Sequence, residues 1–126
     1  MSNAVTKPQM GVIVFAHGSR DAQWRLPIEA VANQIRQRPN LLSVRCAYLE
    51  LCEPDLPTAT LDLIAAGARK IRVFPLFLGV GKHAREDLPL LMAELVDRHP
   101  DIQFELLPTA GEHPELVSML ADLALR

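Results

Sequence analysis

The sequence has no excess of charge of either sign. Thirteen Lys and Arg stand against 15 Asp and Glu, a formal net charge of −2. No basic field is available to follow a phosphate backbone, so nucleic acid is not an expected partner. Long apolar runs are missing too. The longest stretch without a formal charge, Pro8–Ser19, has twelve residues, against the ~20 that span a bilayer, so no membrane partner is expected. Cysteine is scarce: Cys46 and Cys52 are the only two, with no C-x-x-C spacing. That gives no disulfide framework, and both read as small apolar fillers of a reduced, cytoplasmic protein. The N-terminus lacks the charged region, apolar region and cleavage site of a secretion signal. What is present is an ordinary globular composition, 49% hydrophobic and 22% charged, which argues against disorder. A length of 126 residues suits one domain. Residues 10–126 are read as that domain and residues 1–9 as a flexible lead-in.

Hydrophobic periodicity alternates between two kinds. Gly11–Ala16 is a short, β-branched, nearly continuous apolar run that suits a strand buried on both faces. Trp24, Ile28, Val31 and Ile35 then recur at helical spacing, with Ser19 or Asp21 as cap and Pro39 as stop. Ser43–Leu49 alternates as a more exposed strand. It is followed by a helix entered at Asp55 and Pro57, faced by Leu56, Thr60, Leu63 and Ile64, and ended by Gly67. Lys70–Leu78 is a third strand in which Pro75 donates no ladder bond, so regular pairing is expected to stop near it. A glycine-containing loop that carries His83 leads to a helix around Pro89, with Leu88, Leu91, Met92 and Leu95 inward. Ile102–Leu107 is the fourth strand. The last helix begins near Pro114, with Leu116, Val117, Leu120 and Leu123 expected to face inward. Four β-α units predict an α/β fold: a four-stranded parallel sheet with helices on both faces, in the doubly wound, flavodoxin-like order 2-1-3-4.

In such a sheet, ligands bind beyond the carboxyl ends of the strands, where the strand order reverses. His17 follows the first strand, Glu50 ends the second, His83 follows the third and His113 follows the fourth. Only His99, of the four histidines, falls elsewhere, at a helix C-terminus where a structural role suffices. Taken singly, His17 and His83 are ordinary surface histidines, Glu50 a solvated strand end and His113 a helix-entry residue. Taken together, His17, His83 and Glu50 make a two-His, one-carboxylate set suited to Fe, Co, Ni or Zn, with Glu53 as a rival acid. Gly18, Ser19 and Arg20 precede a helix whose N-terminus would attract an anion.

Several familiar motifs fail on residue identity. Gly81-Lys82-His83 lacks the Ser or Thr that follows the lysine of a P-loop, and no G-x-G-x-x-G follows the first strand, so nucleotide dependence has no support. A phosphorelay receiver needs acids where Ala16-His17-Gly18 and Leu76-Phe77-Leu78 stand. A histidine phosphatase carries Arg where this chain has Ala16.

One family does fit. His17-Gly18-Ser19-Arg20 comes first, then Ala47-Tyr48-Leu49-Glu50 with Pro54. Pro75-Leu76-Phe77-Leu78-x-x-Gly81-x-His83-x-x-x-Asp87-x-Pro89 is the most specific element, and Gly111-x-His113-Pro114 a weaker fourth. In that register, from Gly11 to about Leu120, the chain resembles the short form of the sirohydrochlorin chelatase family. These are the cobaltochelatases of anaerobic cobalamin synthesis and their iron- and nickel-inserting relatives. The resemblance implies a chelatase-type parallel fold and a lyase that inserts a divalent metal into sirohydrochlorin without ATP or an organic cofactor. Co²⁺ is favoured, with Fe²⁺ or Ni²⁺ as alternatives. It matches His17 and His83 to the metal-binding histidines and Glu50 to an acid near the metal, and it leaves Gly18, Ser19, Arg20 and His113 to contact the substrate. Long-form relatives carry two such units in one chain and short forms pair as homodimers. Size argues the same way, because a domain with a radius of gyration of about 14 Å offers too small a rim to cover a tetrapyrrole with its carboxylate arms. A twofold partner supplies the second wall. Two rivals belong to other classes: a non-catalytic metal or tetrapyrrole carrier on the same fold, and a phosphotransferase with His17 as nucleophile.

Overall fold

The most apolar run of the sequence becomes the central strand. β1 (Met10–Ala16) pairs on one side with β2 (Ser43–Tyr48) and on the other with β3 (Lys70–Pro75), which pairs in turn with β4 (Gln103–Leu106). All pairs are parallel and the order is β2-β1-β3-β4, as the β-α alternation predicts. The computed structural model describes residues 9–39 and 43–126. Ile13, Val14, Phe15 and Ala16 are each no more than 1% exposed, because successive side chains of β1 enter opposite layers of core. Ile13 and Phe15 join Leu63, Val73, Phe77 and Leu95 under α2 (Leu56–Ala65) and α3 (Lys82–Arg98). Val14 and Ala16 join Ile28, Ala32, Val44 and Tyr48 under α1 (Leu26–Arg36). Each fully buried Leu, Ile or Phe here stabilises the fold by roughly 1.5–3 kcal/mol. None of the described helices is long and apolar enough to cross a membrane.

Local chemistry sets most of the element ends. The Asp55 carboxylate accepts the Thr58 N–H at 2.9 Å and caps α2; hydrogen bonding from the Thr58 side chain first, and from its N–H second, holds the Asp55 pKa below the ordinary carboxylate value. Gly67, at φ 106°, turns the chain out of α2. Regular pairing of β3 ends at Pro75, after which the Leu76 N–H donates to the Phe15 carbonyl at 2.7 Å.

The structure departs from the sequence expectations at three places. Trp24 lies in a 3₁₀ turn, Ala22–Arg25, and is 36% exposed beside Tyr48 rather than on the buried stripe of α1. α3 begins at Lys82, not near Pro89, so Pro89 is inside the helix and His83 is on its first turn rather than in a loop. Gly81 takes the N-cap position, and a buried stripe of Ala84, Leu88, Met92 and Leu95 outweighs the ~3 kcal/mol that an interior proline costs. Most of the stripe of α4 (Pro114–Ala124) does not face inward: Leu116 is half-buried over the sheet, whereas Val117, Leu120 and Leu123 are 54%, 40% and 48% exposed. α4 packs mainly on the 3₁₀ turn Ala110–Glu112 before it rather than down on the sheet. The lead-in read over residues 1–9 lies outside the described residues except at Gln9, whose carbonyl accepts the N–H groups of Arg69 and Lys70 at 2.8 and 3.2 Å and so is tied to the sheet.

Candidate metal centre

The switch point lies between β1 and β3, and the chain builds it from backbone outward. Two hydrogen bonds carry the β1–β2 pairing past the end of β2: the Leu49 N–H donates to Ala16 (2.9 Å) and the Glu50 N–H to His17 (3.1 Å). These place Glu50 beside His17. Gly18 permits the approach. It has φ 104°, and a Cβ there would collide with the Glu50 carbonyl oxygen, so a side chain is excluded both by conformation and by space. The His17 ring packs edge-on against Phe77, with centroids 5.7 Å apart, and Phe77 packs edge-on against Phe15 at 6.1 Å. The histidine is therefore exposed on one side and backed by core on the other.

From β3 the chain returns over this end of the sheet and enters α3. The Arg85 N–H donates to the Gly81 carbonyl at 3.0 Å, closing the turn that carries His83. Asp87 lies four residues later, on the same helix face as His83. A cavity of about 470 Å³ results, lined by His17, Leu49, Glu50, Lys82, His83 and Asp87. Two imidazoles and two carboxylates are a nitrogen and oxygen donor set for a borderline divalent cation. Among the described residues, no three His, Cys, Asp or Glu groups are already gathered around one point. The arrangement is an open cavity with donors on its walls, not a closed structural cage of four ligands.

His17, Glu50 and His83, the three residues read from sequence as the metal set, thus line one cavity. Asp87 and Lys82 line it as well and were not read as site residues, although the i, i+4 relation to His83 was a signal for Asp87. His113 goes elsewhere. It is the N-cap of α4, packs edge-on against Phe74 at 6.2 Å, and lines a second, larger cavity of about 760 Å³ on the α1 side of the sheet. That larger cavity is apolar, lined by Val12, Val31, Ile35, Phe74, Leu76 and Met119 among others, and it lacks the clustered donors of the first. The anion site expected where Gly18, Ser19 and Arg20 enter a helix is not formed by α1, which begins only at Leu26. Ser19 Oγ accepts the Asp21 N–H at 3.0 Å, the Asp21 carboxylate caps the 3₁₀ turn, and Arg20 is exposed. His99 is the C-cap of α3 beside Phe104, as expected of a structural histidine. Both cysteines are free, and burial pushes the Cys46 thiol pKa up, which keeps it the neutral filler it was read to be.

Fold and donor set together define a class: a small doubly wound α/β domain with a candidate metal centre at its switch point. The chain belongs to the CbiX family, whose model matches residues 11–125. It is 34% identical over 91 residues to the sirohydrochlorin cobaltochelatase of Methanothermobacter thermautotrophicus, covering 72% of this chain and 63% of that protein. It is 29% identical over 112 residues to the chloroplastic sirohydrochlorin ferrochelatase of Arabidopsis thaliana, covering 89% of this chain and 50% of that one. The chain therefore spans about half to just under two thirds of the length of these relatives. Among solved structures, a CbiX protein from Marinobacter aquaeolei VT8 superposes with a TM-score of 0.79 at 32% identity, covering 92% of this chain and 94% of that one. The sirohydrochlorin chelatase SirB from Bacillus subtilis subspecies spizizenii, in complex with cobalt, superposes with a TM-score of 0.80 at 25% identity, covering 93% of this chain but 50% of that one.

Proposed function

We propose that this protein inserts a divalent metal into sirohydrochlorin, with Co²⁺ the favoured ion and Fe²⁺ or Ni²⁺ as alternatives. The observation that carries this is the placement of His17, His83 and Glu50 around one cavity at the switch point, in a chain whose relatives are named for cobalt and iron insertion. One divalent ion enters as two pyrrole N–H protons leave, so charge balances without nucleotide or organic cofactor. His17 and His83 hold the ion through neutral imidazole nitrogens on one side of the macrocycle and, as the ion leaves them for the ring, accept the departing pyrrole protons on the nitrogens it vacates. Glu50 adds negative charge beside the ion or passes protons outward. Arg20, exposed on the loop it shares with Gly18 and Ser19, meets the carboxylate arms at the rim. An open donor set supports the assignment, because the ion has to be captured and then released into the ring. Two copies share one cleft, since a single rim leaves most of the ring uncovered, and the protein works in the cytoplasm.

The test is spectrophotometric. Protein at catalytic concentration is mixed with sirohydrochlorin and Co²⁺, and the absorption of the macrocycle is followed against a protein-free control. Multiple turnovers are expected. A change that stops at one equivalent identifies a carrier instead. No change, together with hydrolysis of a phosphate ester, moves the chemistry to His17 as a phosphotransfer nucleophile.

A further inference from the structure

A fixed positive charge stands on the wall of a cavity whose other polar groups suit a cation. Among the described residues lining the cavity between His17 and His83, Lys82 carries the only permanent positive charge. Glu50 and Asp87 line it too. Yet among the described residues the only ion pair joins Arg72 to Glu105, so Lys82 is paired with neither acid. Nor does helix stability account for it. Lys82 is the first residue of α3, whose first turn holds no acidic residue and whose N-cap, Gly81, makes no side-chain bond. A cation is unfavourable at that end of a helix and favourable at the other, where Arg98 stands in the last turn. The Gly81-Lys82-His83 run is no nucleotide motif either. A residue that breaks a local rule without a folding gain points to function.

We propose that Lys82 receives a carboxylate arm of the tetrapyrrole and, until it does, keeps the metal ion loosely held. The inference rests on the metal-insertion reading above and adds a specificity-determining residue to it. Glu50, Asp87 and Lys82 give the cavity wall one excess negative charge, which a divalent ion turns into one excess positive charge. With a neutral residue at position 82 the loaded cavity would be neutral and would draw no anion. With Lys82 it attracts an acid arm to the ammonium group, beside the histidines that face the ring. The same charge repels the ion. A cavity of about 470 Å³ keeps the ammonium within roughly 8 Å of a bound ion, where a single and a double positive charge in a water-like dielectric lower affinity about three- to tenfold at low ionic strength. Lys82 therefore weakens capture of the ion and strengthens capture of the macrocycle. A lysine that only held the turn would move both affinities the same way.

Binding titrations on the full chain test it. Lys82→Met is compared with wild type, with Lys82→Arg, which keeps the charge, and with Arg98→Met. The last removes an equal charge at the far end of α3, ~24 Å away at 1.5 Å rise per residue, well beyond the ~8–10 Å screening length. Co²⁺ is titrated by calorimetry without tetrapyrrole, and sirohydrochlorin by its fluorescence without metal. Lys82→Met is expected to bind Co²⁺ about three- to tenfold more tightly. It is expected to bind sirohydrochlorin about tenfold more weakly, through the loss of one charge-assisted contact. Lys82→Arg should stay close to wild type in both, and Arg98→Met should change neither. Circular dichroism checks folding, and Lys82→Gln repeats the test should Lys82→Met fail to fold. Two affinities that fall together mark a structural role and overturn the inference. A tighter ion with an unchanged macrocycle overturns the carboxylate contact. A wild-type protein that binds no sirohydrochlorin overturns the insertion reading and this inference with it. Wild-type binding that Lys82→Met leaves unchanged overturns this inference alone.

Discussion

Gly18→Ala should uncouple the two halves of the candidate site while leaving a folded protein. The glycine has φ 104°, a conformation that costs an L-residue about 1–2 kcal/mol. The added methyl also meets the Glu50 carbonyl oxygen, and relieving that collision breaks the 3.1 Å hydrogen bond from the Glu50 N–H to His17, worth about 1 kcal/mol net. The sum, about 2–3 kcal/mol, is below the ~5–15 kcal/mol stability of a typical domain. With a urea m-value of ~1.5 kcal/mol per molar, the unfolding midpoint should fall by about 1.3–2 M. The effect on metal insertion should exceed the effect on stability, because moving Glu50 and His17 apart by ~1 Å is the size of displacement that costs ~100-fold in rate. Two other glycines serve as controls. A Cβ on Gly67, at φ 106°, meets nothing within 4 Å, so Gly67→Ala isolates the conformational cost; a Cβ on Gly79 also meets nothing within 4 Å, and its φ is not in the positive region. Urea titration followed by circular dichroism, with insertion rates measured on the same preparations, should rank stability as Gly79→Ala above Gly67→Ala above Gly18→Ala, and only the last should lose activity. A Gly18→Ala protein as stable and as active as Gly79→Ala would refute the claim that this close approach holds Glu50 beside His17.

Other substitutions separate chemistry from stability. His17→Ala and His83→Ala should each reduce insertion at least 100-fold while shifting the thermal midpoint by no more than a few degrees, since both side chains are exposed; calorimetry and the spectrophotometric assay read the two effects. Asp55→Ala should cost about 1 kcal/mol through the lost cap of α2. Because the Asp55 pKa is lowered in the folded state, its contribution is present above the unfolded carboxylate value and is lost as pH falls through the folded one. Urea midpoints of wild type and variant should therefore differ at neutral pH and converge in acid. Co²⁺ affinity, measured by calorimetric titration, should weaken as solutions are acidified, because imidazole binds a cation only when neutral and metal binding releases protons. Affinity that stays flat on acidification would take histidine out of the site.

The parts of the molecule legible in its sequence are those decided by local chemistry. The buried run of β1, the Asp55 cap, the turn at Gly67 and the halt at Pro75 each follow from a residue's own conformational or hydrogen-bonding limits. The strand order followed from β-α alternation, and with it the meeting of residues 17, 50 and 83 at one end of the sheet. What was not legible depended on tertiary context. Pro89 reads as the start of a helix, yet the core contacts of Leu88, Met92 and Leu95 carry α3 through it, which moves His83 onto a helix and brings Asp87 and Lys82 to the cavity wall. The stripe of α4 is plain in sequence, but periodicity says only that one side of a helix is apolar, not which surface covers it. Likewise His113 follows a strand end, but the way α4 leaves the sheet sends it to the other cavity.

The central claim is that one cation is shared by two histidines. The most direct measurement is anomalous scattering at the cobalt edge from crystals of this protein soaked in Co²⁺. The claim predicts a single peak in the cavity between His17 and His83, within coordination distance, ~2.1 Å, of a nitrogen of each. Two peaks each held by one histidine, or a peak only outside this cavity, would contradict it.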